Sequence, residues 1–273
     1  MNPRFRQLRS SVLSYPERGP YGDGKYRGNT SGFLVRDLLL DFKPNSVLDP
    51  MAGSGTTKDV CKELGIPCDA FDLRGGFDAG SLDLGVKRYD LVFLHPPYMA
   101  MVRYSDESAD LSRIKRLDEY LHRLSEIILR LARHLTKEGY IIILIGNRRK
   151  NGKLYPLGAC LEVLFLDELQ YELIKVQHGV KSMRRYGPQY ANRNWIPIMH
   201  EKVLIFTGFK SITWEELTRR ALTALGGEAH LREIYKHLED HPKTADNPTW
   251  QATIRRTLQE SFTPIDGHGI WAT

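Results

Sequence analysis

Four residues, His95-Pro96-Pro97-Tyr98, close an apolar run, Leu91 to Leu94, that reads as a buried strand of a parallel sheet. Proline has no N–H and cannot continue a central strand, so the chain leaves the sheet here. An imidazole, a backbone carbonyl fixed by the prolines and an aromatic ring then sit at the carboxyl end of a strand, where open α/β sheets hold their ligands. Taken alone, the same pattern fits a plain strand-to-loop turn with a locally satisfied histidine.

A second stretch argues against the plain turn. Residues 46–49 form a short strand that runs into Pro50-Met51-Ala52-Gly53-Ser54-Gly55-Thr56-Thr57, and a helix follows through Val60, Cys61 and Leu64. Strand, glycine turn and helix in succession make a nucleotide-cofactor loop: the glycines let backbone approach a ligand, and the helix start offers free N–H groups. Asp49 closes the strand, and Met51, Gly53, Gly55 and Thr56 line the turn. The next strand, within residues 67–73, ends in Asp72, about twenty residues past the glycines, where a carboxylate for ribose hydroxyls belongs. Phe77 and Asp78, in a glycine-rich connection, are placed to contact an adenine ring.

The elements that must position these groups are legible from periodicity. A helix is expected after Asn29-Thr30-Ser31, with Phe33, Leu34, Leu38 and Leu39 on its apolar face. Apolar positions from Leu117 to Leu135 predict a long helix ended by Lys137-Glu138-Gly139. A buried strand over residues 140–145 empties into the basic stretch Gly146 to Lys153, with Arg148, Arg149 and Lys150. A helix over residues 157–169, a strand over 171–177 and a last strand over 200–206, antiparallel if its connection is a hairpin, complete the domain. Residues 178–195 lack periodicity and interleave Lys181, Arg184, Arg185 and Arg193 with aromatics, which suits phosphate contact and base stacking. The expected fold class is α/β: a Rossmann-like domain over residues 1–210 with a mostly parallel seven-stranded sheet. It opens with a basic, loop-like arm over residues 1–30.

From about Thr213 the pattern changes to three short helices, over residues 215–225, 231–238 and 249–262, followed by a hairpin with Asp266-Gly267 at its turn. That is the plan of a winged helix-turn-helix over residues 211–273, with Arg255 and Arg256 on its third helix, and also of a small protein-interaction domain of the same shape.

The chain has 273 residues, 41% of them hydrophobic, and a net charge of +6, which suits a polyanionic partner. The three cysteines, Cys61, Cys68 and Cys160, have neither zinc nor disulfide spacing, and no metal site is expected. With no signal peptide and no apolar run of membrane-spanning length, a cytoplasmic chain is expected.

Asp49-Pro50-Met51-Ala52-Gly53-Ser54-Gly55-Thr56, followed by Leu94-His95-Pro96-Pro97-Tyr98, resembles the S-adenosylmethionine-dependent DNA amino-methyltransferases, which modify N6 of adenine or N4 of cytosine. The resemblance covers roughly residues 20–208 and leaves the tail outside. It implies S-adenosylmethionine as cofactor, with Thr30 and Ser31 in the segment that holds the methionine carboxylate. It further implies double-stranded DNA as partner, gripped by Arg103 and the basic residues above, either as an orphan enzyme or in a restriction-modification pair with a cognate endonuclease. The family carries Asp, Asn or Ser where His95 stands. That residue and the next carbonyl, of Pro96, accept the two hydrogens of the amino group, while the aromatic residue, Tyr98, stacks on a base flipped out of the duplex. A neutral imidazole can accept and an imidazolium cannot, so activity is expected to fall below roughly pH 6.5. N6 of adenine is the expected target, with N4 of cytosine beside it. The alternatives are an RNA or protein-glutamine methyltransferase and a catalytically inactive DNA-binding homologue.

Overall fold

The computed structural model describes residues 7–81, 83–100, 102–178, 196–265 and 269–272. Its strands are β1 (Val12–Ser14), β2 (Val47–Asp49), β3 (Cys68–Ala70), β4 (Tyr89–Leu94), β5 (Leu135–Gly146), β6 (Arg148–Lys150), β7 (Lys153–Tyr155), β8 (Leu169–Val176), β9 (His200–Phe206), β10 (Glu228–His230), β11 (Thr263–Pro264) and β12 (Ile270–Ala272). Its helices are α1 (Gly32–Phe42), α2 (Thr56–Leu64), α3 (Leu117–Arg133), α4 (Leu157–Leu164), α5 (Trp214–Ala224), α6 (Leu231–Leu238), α7 (Pro242–Ala245) and α8 (Trp250–Ser261).

Seven strands form one sheet in the order β1-β8-β9-β5-β4-β2-β3. The sheet is mixed: β9 runs antiparallel to both β5 and β8, and every other pairing is parallel. Because side chains alternate across a strand, each apolar run feeds two cores. Val47, Leu91, Phe93, Ile142, Leu144 and Val203 face α1 and α2. Leu48, Val92, Leu94, Ile141, Ile143 and Leu204 face α3 and α4. Burial on both sides is why these strands read as unbroken apolar runs and not as alternating ones. The fold is Rossmann-like, with helices on both faces.

From β2 the chain steps outward to β3, then returns to the other side of β2 to form β4. The strand order therefore reverses between β2 and β4, and the carboxyl ends of those two strands carry Asp49 and His95. A crevice at such a reversal is where open α/β sheets bind ligands.

Several expected boundaries move. The arm is not loop throughout, since β1 adds a parallel edge strand beside β8. Ser31 is the N-cap of α1 by position, but its hydroxyl donates to the Glu17 carbonyl (2.9 Å) and caps nothing. Helix α3 ends at Arg133, and Lys137-Glu138-Gly139 belongs to β5. There the register against β4 shifts by a bulge, so Tyr89 pairs with Leu135 and Leu91 with Tyr140. The basic stretch after β5 is a hairpin, β6–β7, turned by Asn151 (φ 51°) and Gly152 (φ 77°). Two successive positive φ values are the signature that Asn-Gly permits.

The C-terminal helices build a separate core from Leu217, Leu222, Ile234, Leu238, Ile254 and Leu258. Their strands do not all come last. Strand β10 precedes α6, and β10, β12 and β11 form a small antiparallel sheet. The Asp266-Gly267 turn lies outside the described residues. This unit is fastened to the sheet domain by ion pairs. The buried Lys210 ammonium bridges Asp246 (2.8 Å) and the Leu135 carbonyl (2.9 Å). Arg133 meets Asp240 (2.9 Å), and Arg220 meets Glu168 (3.2 Å) and Asp167.

Candidate active site

Asp49 ends β2 almost fully buried. Its carboxylate accepts from the Met51 N–H (3.1 Å), and burial pushes its pKa up to about 6 despite help from Thr57 and Met51. Gly53 and Gly55 both take positive φ (47° and 82°), and Gly55 starts α2. Asp72 reaches back across the turn: one carboxylate oxygen accepts from the Gly53 N–H (3.0 Å), the other from the Arg74 backbone (3.1 Å) and guanidinium (3.0 Å). The oxygen bonded to Gly53 accepts one hydrogen bond and keeps a second lone pair, so Asp72 can still take a ligand hydroxyl there.

The arm lies over this loop. The Asp23 N–H donates to the Ser54 carbonyl (2.9 Å), and the Gly22 N–H to Asp59 on α2 (2.8 Å). The room made at Gly53 is used by Tyr26: a Cβ there would lie 3.1 Å from its ring. Arg74 covers that ring (4.6 Å to the centroid), and Tyr104, from the loop after His95, stacks near parallel to it (centroids 5.9 Å, 19°). One layered contact thus joins the arm, the acidic strand end and the loop after β4. Thr30 is buried in the same arm, and its hydroxyl has no partner among the described residues. Burying a hydroxyl unpaired costs about 1–3 kcal/mol, which fits a group held ready for a ligand.

Not every expected cofactor contact is available. The Ser31 hydroxyl is spent on Glu17, and Thr56 shares its hydroxyl with Ser54 (2.9 Å) under Gly22. Asp78 closes its own turn through the Gly80 N–H (2.9 Å), while Phe77 packs against Phe71 (4.8 Å). Of that pair only Phe77, 44% exposed, keeps an open face.

At the end of β4 the groups are tied into one network. The Tyr98 hydroxyl donates to Glu201 Oε1 (2.7 Å) and lies 3.1 Å from His95 Nε2. Glu201 Oε2 takes the Lys175 ammonium (2.7 Å), and Lys175, Glu201 and Gly146 are register partners across β8, β9 and β5. Gly146 is required by the close approach of Tyr98, whose Cε2 would stand 2.8 Å from a Cβ. The Tyr120 hydroxyl, from α3, donates to the Pro97 carbonyl (3.1 Å), and buried Arg148 donates to the Met99 carbonyl. The Pro96 carbonyl and His95 Nδ1 have no hydrogen-bond partner among the described residues.

Electrostatics correct one expectation. Burial lowers the His95 pKa to about 4, with Lys175 pushing the same way and Glu201 only partly opposing. The imidazole is therefore neutral far below pH 6.5. Burial would raise the Glu201 carboxyl, but Lys175, His95 and the Tyr98 hydrogen bond outweigh it and hold it below the usual range. Burial first, then Glu201, raises the Tyr98 phenol well above its ordinary value, so it stays protonated.

The basic residues divide. Arg148, expected among the surface cations, is instead buried and braces the loop after β4 through the Met99 carbonyl. Arg149 and Lys150 are exposed on the β6–β7 hairpin, a separate two-stranded sheet that follows the carboxyl end of β5, the parallel neighbour of β4. Arg103 is exposed and bonds Asp106. Arg255 and Arg256 are exposed on α8. Lys181, Arg184, Arg185 and Arg193 lie outside the described residues. No His/Cys/Asp/Glu group able to hold a metal occurs among the described residues, and no helix there is long and apolar enough to cross a membrane.

Glu201 and Lys175 are absent from the expected site. Their only sequence signal is a charge inside an otherwise apolar strand, and Glu172 and Lys202 carry the same signal with a different outcome: Lys202 pairs with Glu162 and Glu172.

No protein-family profile and no curated protein matches the chain in sequence. Among solved structures, it is similar to a candidate DNA modification methylase from Thermus thermophilus, at 17% identity over 64% of this chain and 60% of that one, with a TM-score of 0.32. It is similar to the plantazolicin methyltransferase BpumL, solved with SAH, at 15% identity over 64% and 82%, TM-score 0.37. It is also similar to TrmN from Thermus thermophilus, at 16% identity over 66% and 50%, TM-score 0.35. The chain thus spans 60% of the first of these and half of the last.

Proposed function

We propose that the chain is an S-adenosylmethionine-dependent DNA amino-methyltransferase acting on the exocyclic nitrogen of a flipped base, N6 of adenine before N4 of cytosine. The observation that carries the reading is the pairing of two motifs across the strand-order reversal. The Asp49–Thr56 loop ends β2, and His95-Pro96-Pro97-Tyr98 ends the neighbouring β4. Asp49, Gly53, Gly55, Asp72 and the unpartnered Thr30 hydroxyl would hold the cofactor. When bound, S-adenosylmethionine supplies an electrophilic methyl on a sulfonium sulfur.

The chain's own task is to make a poor nucleophile attack. An aromatic amine keeps its lone pair in the ring. Two acceptors, the His95 imidazole and the Pro96 carbonyl, draw its two N–H bonds out of the ring plane and localise that pair, which is positioning and electrostatic preorganisation. Tyr98 offers a ring face to the flipped base while its hydroxyl stays anchored on Glu201.

Two titrations should separate. In the free enzyme Asp49 is protonated near pH 6, which would neutralise a carboxylate assigned to the cofactor, so kcat/KM for the cofactor is expected to fall about tenfold per pH unit below about 6. His95 stays neutral to about pH 4, so kcat at saturating cofactor is expected to stay flat from pH 8 to about 5. A kcat that falls in step with a pKa near 6.5 would contradict the burial argument.

The tail is read as a winged helix that grips duplex DNA through α8, with Arg149, Lys150 and Arg103 as further phosphate contacts. Replacing Arg255 and Arg256 by Ala is expected to weaken duplex binding uniformly across sequences. It should also flatten the salt dependence by about one log-log unit for each phosphate no longer neutralised. An unchanged slope in fluorescence anisotropy titrations over a salt series would exclude α8 from the interface. Calorimetry with S-adenosylmethionine tests the reading as a whole: binding is expected, and no heat would favour an inactive DNA-binding protein. The same reading admits an orphan role or a cognate restriction endonuclease as partner, and protection of methylated duplex from an endonuclease encoded beside the protein would favour the second.

A further inference from the structure

We propose that Lys175, Glu201 and Tyr98 form a proton-ordering relay that holds His95 as the Nε2–H tautomer, so that Nδ1 is the atom that accepts the substrate's amino hydrogen. The role given to Nδ1 rests on the amino-methyltransferase reading; the relay itself rests only on geometry.

One phenol proton lies between two possible acceptors. Glu201 Oε1 is 2.7 Å from the Tyr98 oxygen and His95 Nε2 is 3.1 Å from it. Glu201 is buried, and its other oxygen is 2.7 Å from the Lys175 ammonium, so it is a carboxylate and can only accept. A hydrogen bond to a carboxylate contributes about 1.5–3 kcal/mol, against about 0.5–1.5 kcal/mol for one between neutral groups. The phenol proton therefore goes to Glu201. The reverse assignment would also set two unprotonated oxygens 2.7 Å apart. With its proton spent, the Tyr98 oxygen can only accept from His95, so Nε2 carries the imidazole proton and Nδ1 bears the free lone pair. Nδ1 is the nitrogen without a partner among the described residues. Lys175, Glu201 and Tyr98 are thus positioning residues: Lys175 keeps Glu201 ionised, Glu201 orients the phenol, and the phenol selects the tautomer.

Glu201→Gln gives a sharp test, because it changes no shape. The amide has one acceptor oxygen, which the donor-only Lys175 claims, and it turns its NH2 toward the Tyr98 oxygen. The phenol proton must then swing to His95 Nε2, which reverses the tautomer and removes the acceptor at Nδ1. The measurement is 15N NMR of the full chain labelled at its histidine rings, near pH 7, with the His95 signals identified by their loss in His95→Asn. Wild type is expected to show a protonated Nε2 and a bare Nδ1. Glu201→Gln is expected to show the opposite, with kcat down at least about 10-fold, the order by which partners that fix a histidine tautomer act, and with cofactor affinity unchanged. Tyr98→Phe keeps the ring for stacking and is expected to lose the hydrogen-bonded Nε2–H signal.

A wild-type His95 protonated at Nδ1 in an active enzyme overturns the relay alone. So does a Glu201→Gln spectrum identical to wild type. An Nε2–H imidazole in a protein that methylates no nucleobase overturns the role given to Nδ1, together with the reading it rests on.

Discussion

His95→Ala is expected to lower kcat for methyl transfer by about 10²–10³-fold, the loss seen when one preorganised hydrogen-bonding group is removed from a reacting centre, while S-adenosylmethionine binds as before. The separation follows from placement. His95 ends β4 and touches Tyr98, whereas the groups assigned to the cofactor sit at the ends of β2 and β3 and in the arm. With Ala, the Pro96 carbonyl remains as the single acceptor, and the lone pair is localised by half the machinery. His95→Asp and His95→Asn restore an acceptor at a shorter reach, and at least one is expected to recover part of the lost rate. Single-turnover kinetics together with calorimetry check both halves. An alanine variant with wild-type kcat would show that His95 is a strand-end filler.

Glu201→Ala carries the largest expected cost to stability. Lys175 and Glu201 are buried, and their charges are taken up by one another and by Tyr98. Removing one partner of such a pair strands the other charge, at about 3–5 kcal/mol, against a total stability of about 5–15 kcal/mol for a domain. At roughly 2–4 °C per kcal/mol for a chain of this size, the melting midpoint is expected to drop on the order of 10 °C. Replacing the whole pair, with Lys175→Met and Glu201→Leu together, removes both buried charges at similar volume and is expected to restore most of the melting temperature. It cannot restore the proton ordering at His95. A double variant that melts like wild type but remains slow would separate the relay from mere support, and one that regains full kcat would dissolve the distinction. Thermal melting followed by circular dichroism, with kcat on the same samples, measures both.

The sequence shows most where its signals are local. The β2 loop with Gly53 and Gly55, the end of β4 at His95 and the helix starts all depend on turn residues and short apolar runs, and they lie within a few residues of their expected bounds. What it hides depends on register. Nothing near Lys175 or Glu201 says that β8 and β9 pair antiparallel with these two residues opposite each other, or that Tyr98 reaches the same rung. The end of α3 differs from expectation because Gly139 reads as a helix cap, whereas a bulge lets β5 begin at Leu135. The β6–β7 hairpin is legible in principle from Asn151-Gly152, but the run of basic residues around it reads first as a solvated loop. Arg148 shows the limit of reading charge as surface: among three consecutive basic residues, one is turned inward to hold the Met99 carbonyl. The His95 titration is likewise a tertiary property, since burial and the Lys175–Glu201 pair set it.

The most direct test is transfer itself. The full chain is incubated with methyl-labelled S-adenosylmethionine and mixed-sequence duplex DNA, and the DNA is digested to nucleosides and separated. Label is expected in N6-methyladenine, or in N4-methylcytosine, in wild type, with a loss of about 10²–10³-fold in His95→Ala. Label at a ring carbon, or in protein or RNA but not in DNA, or no label from a protein that binds the cofactor, would contradict the proposed chemistry.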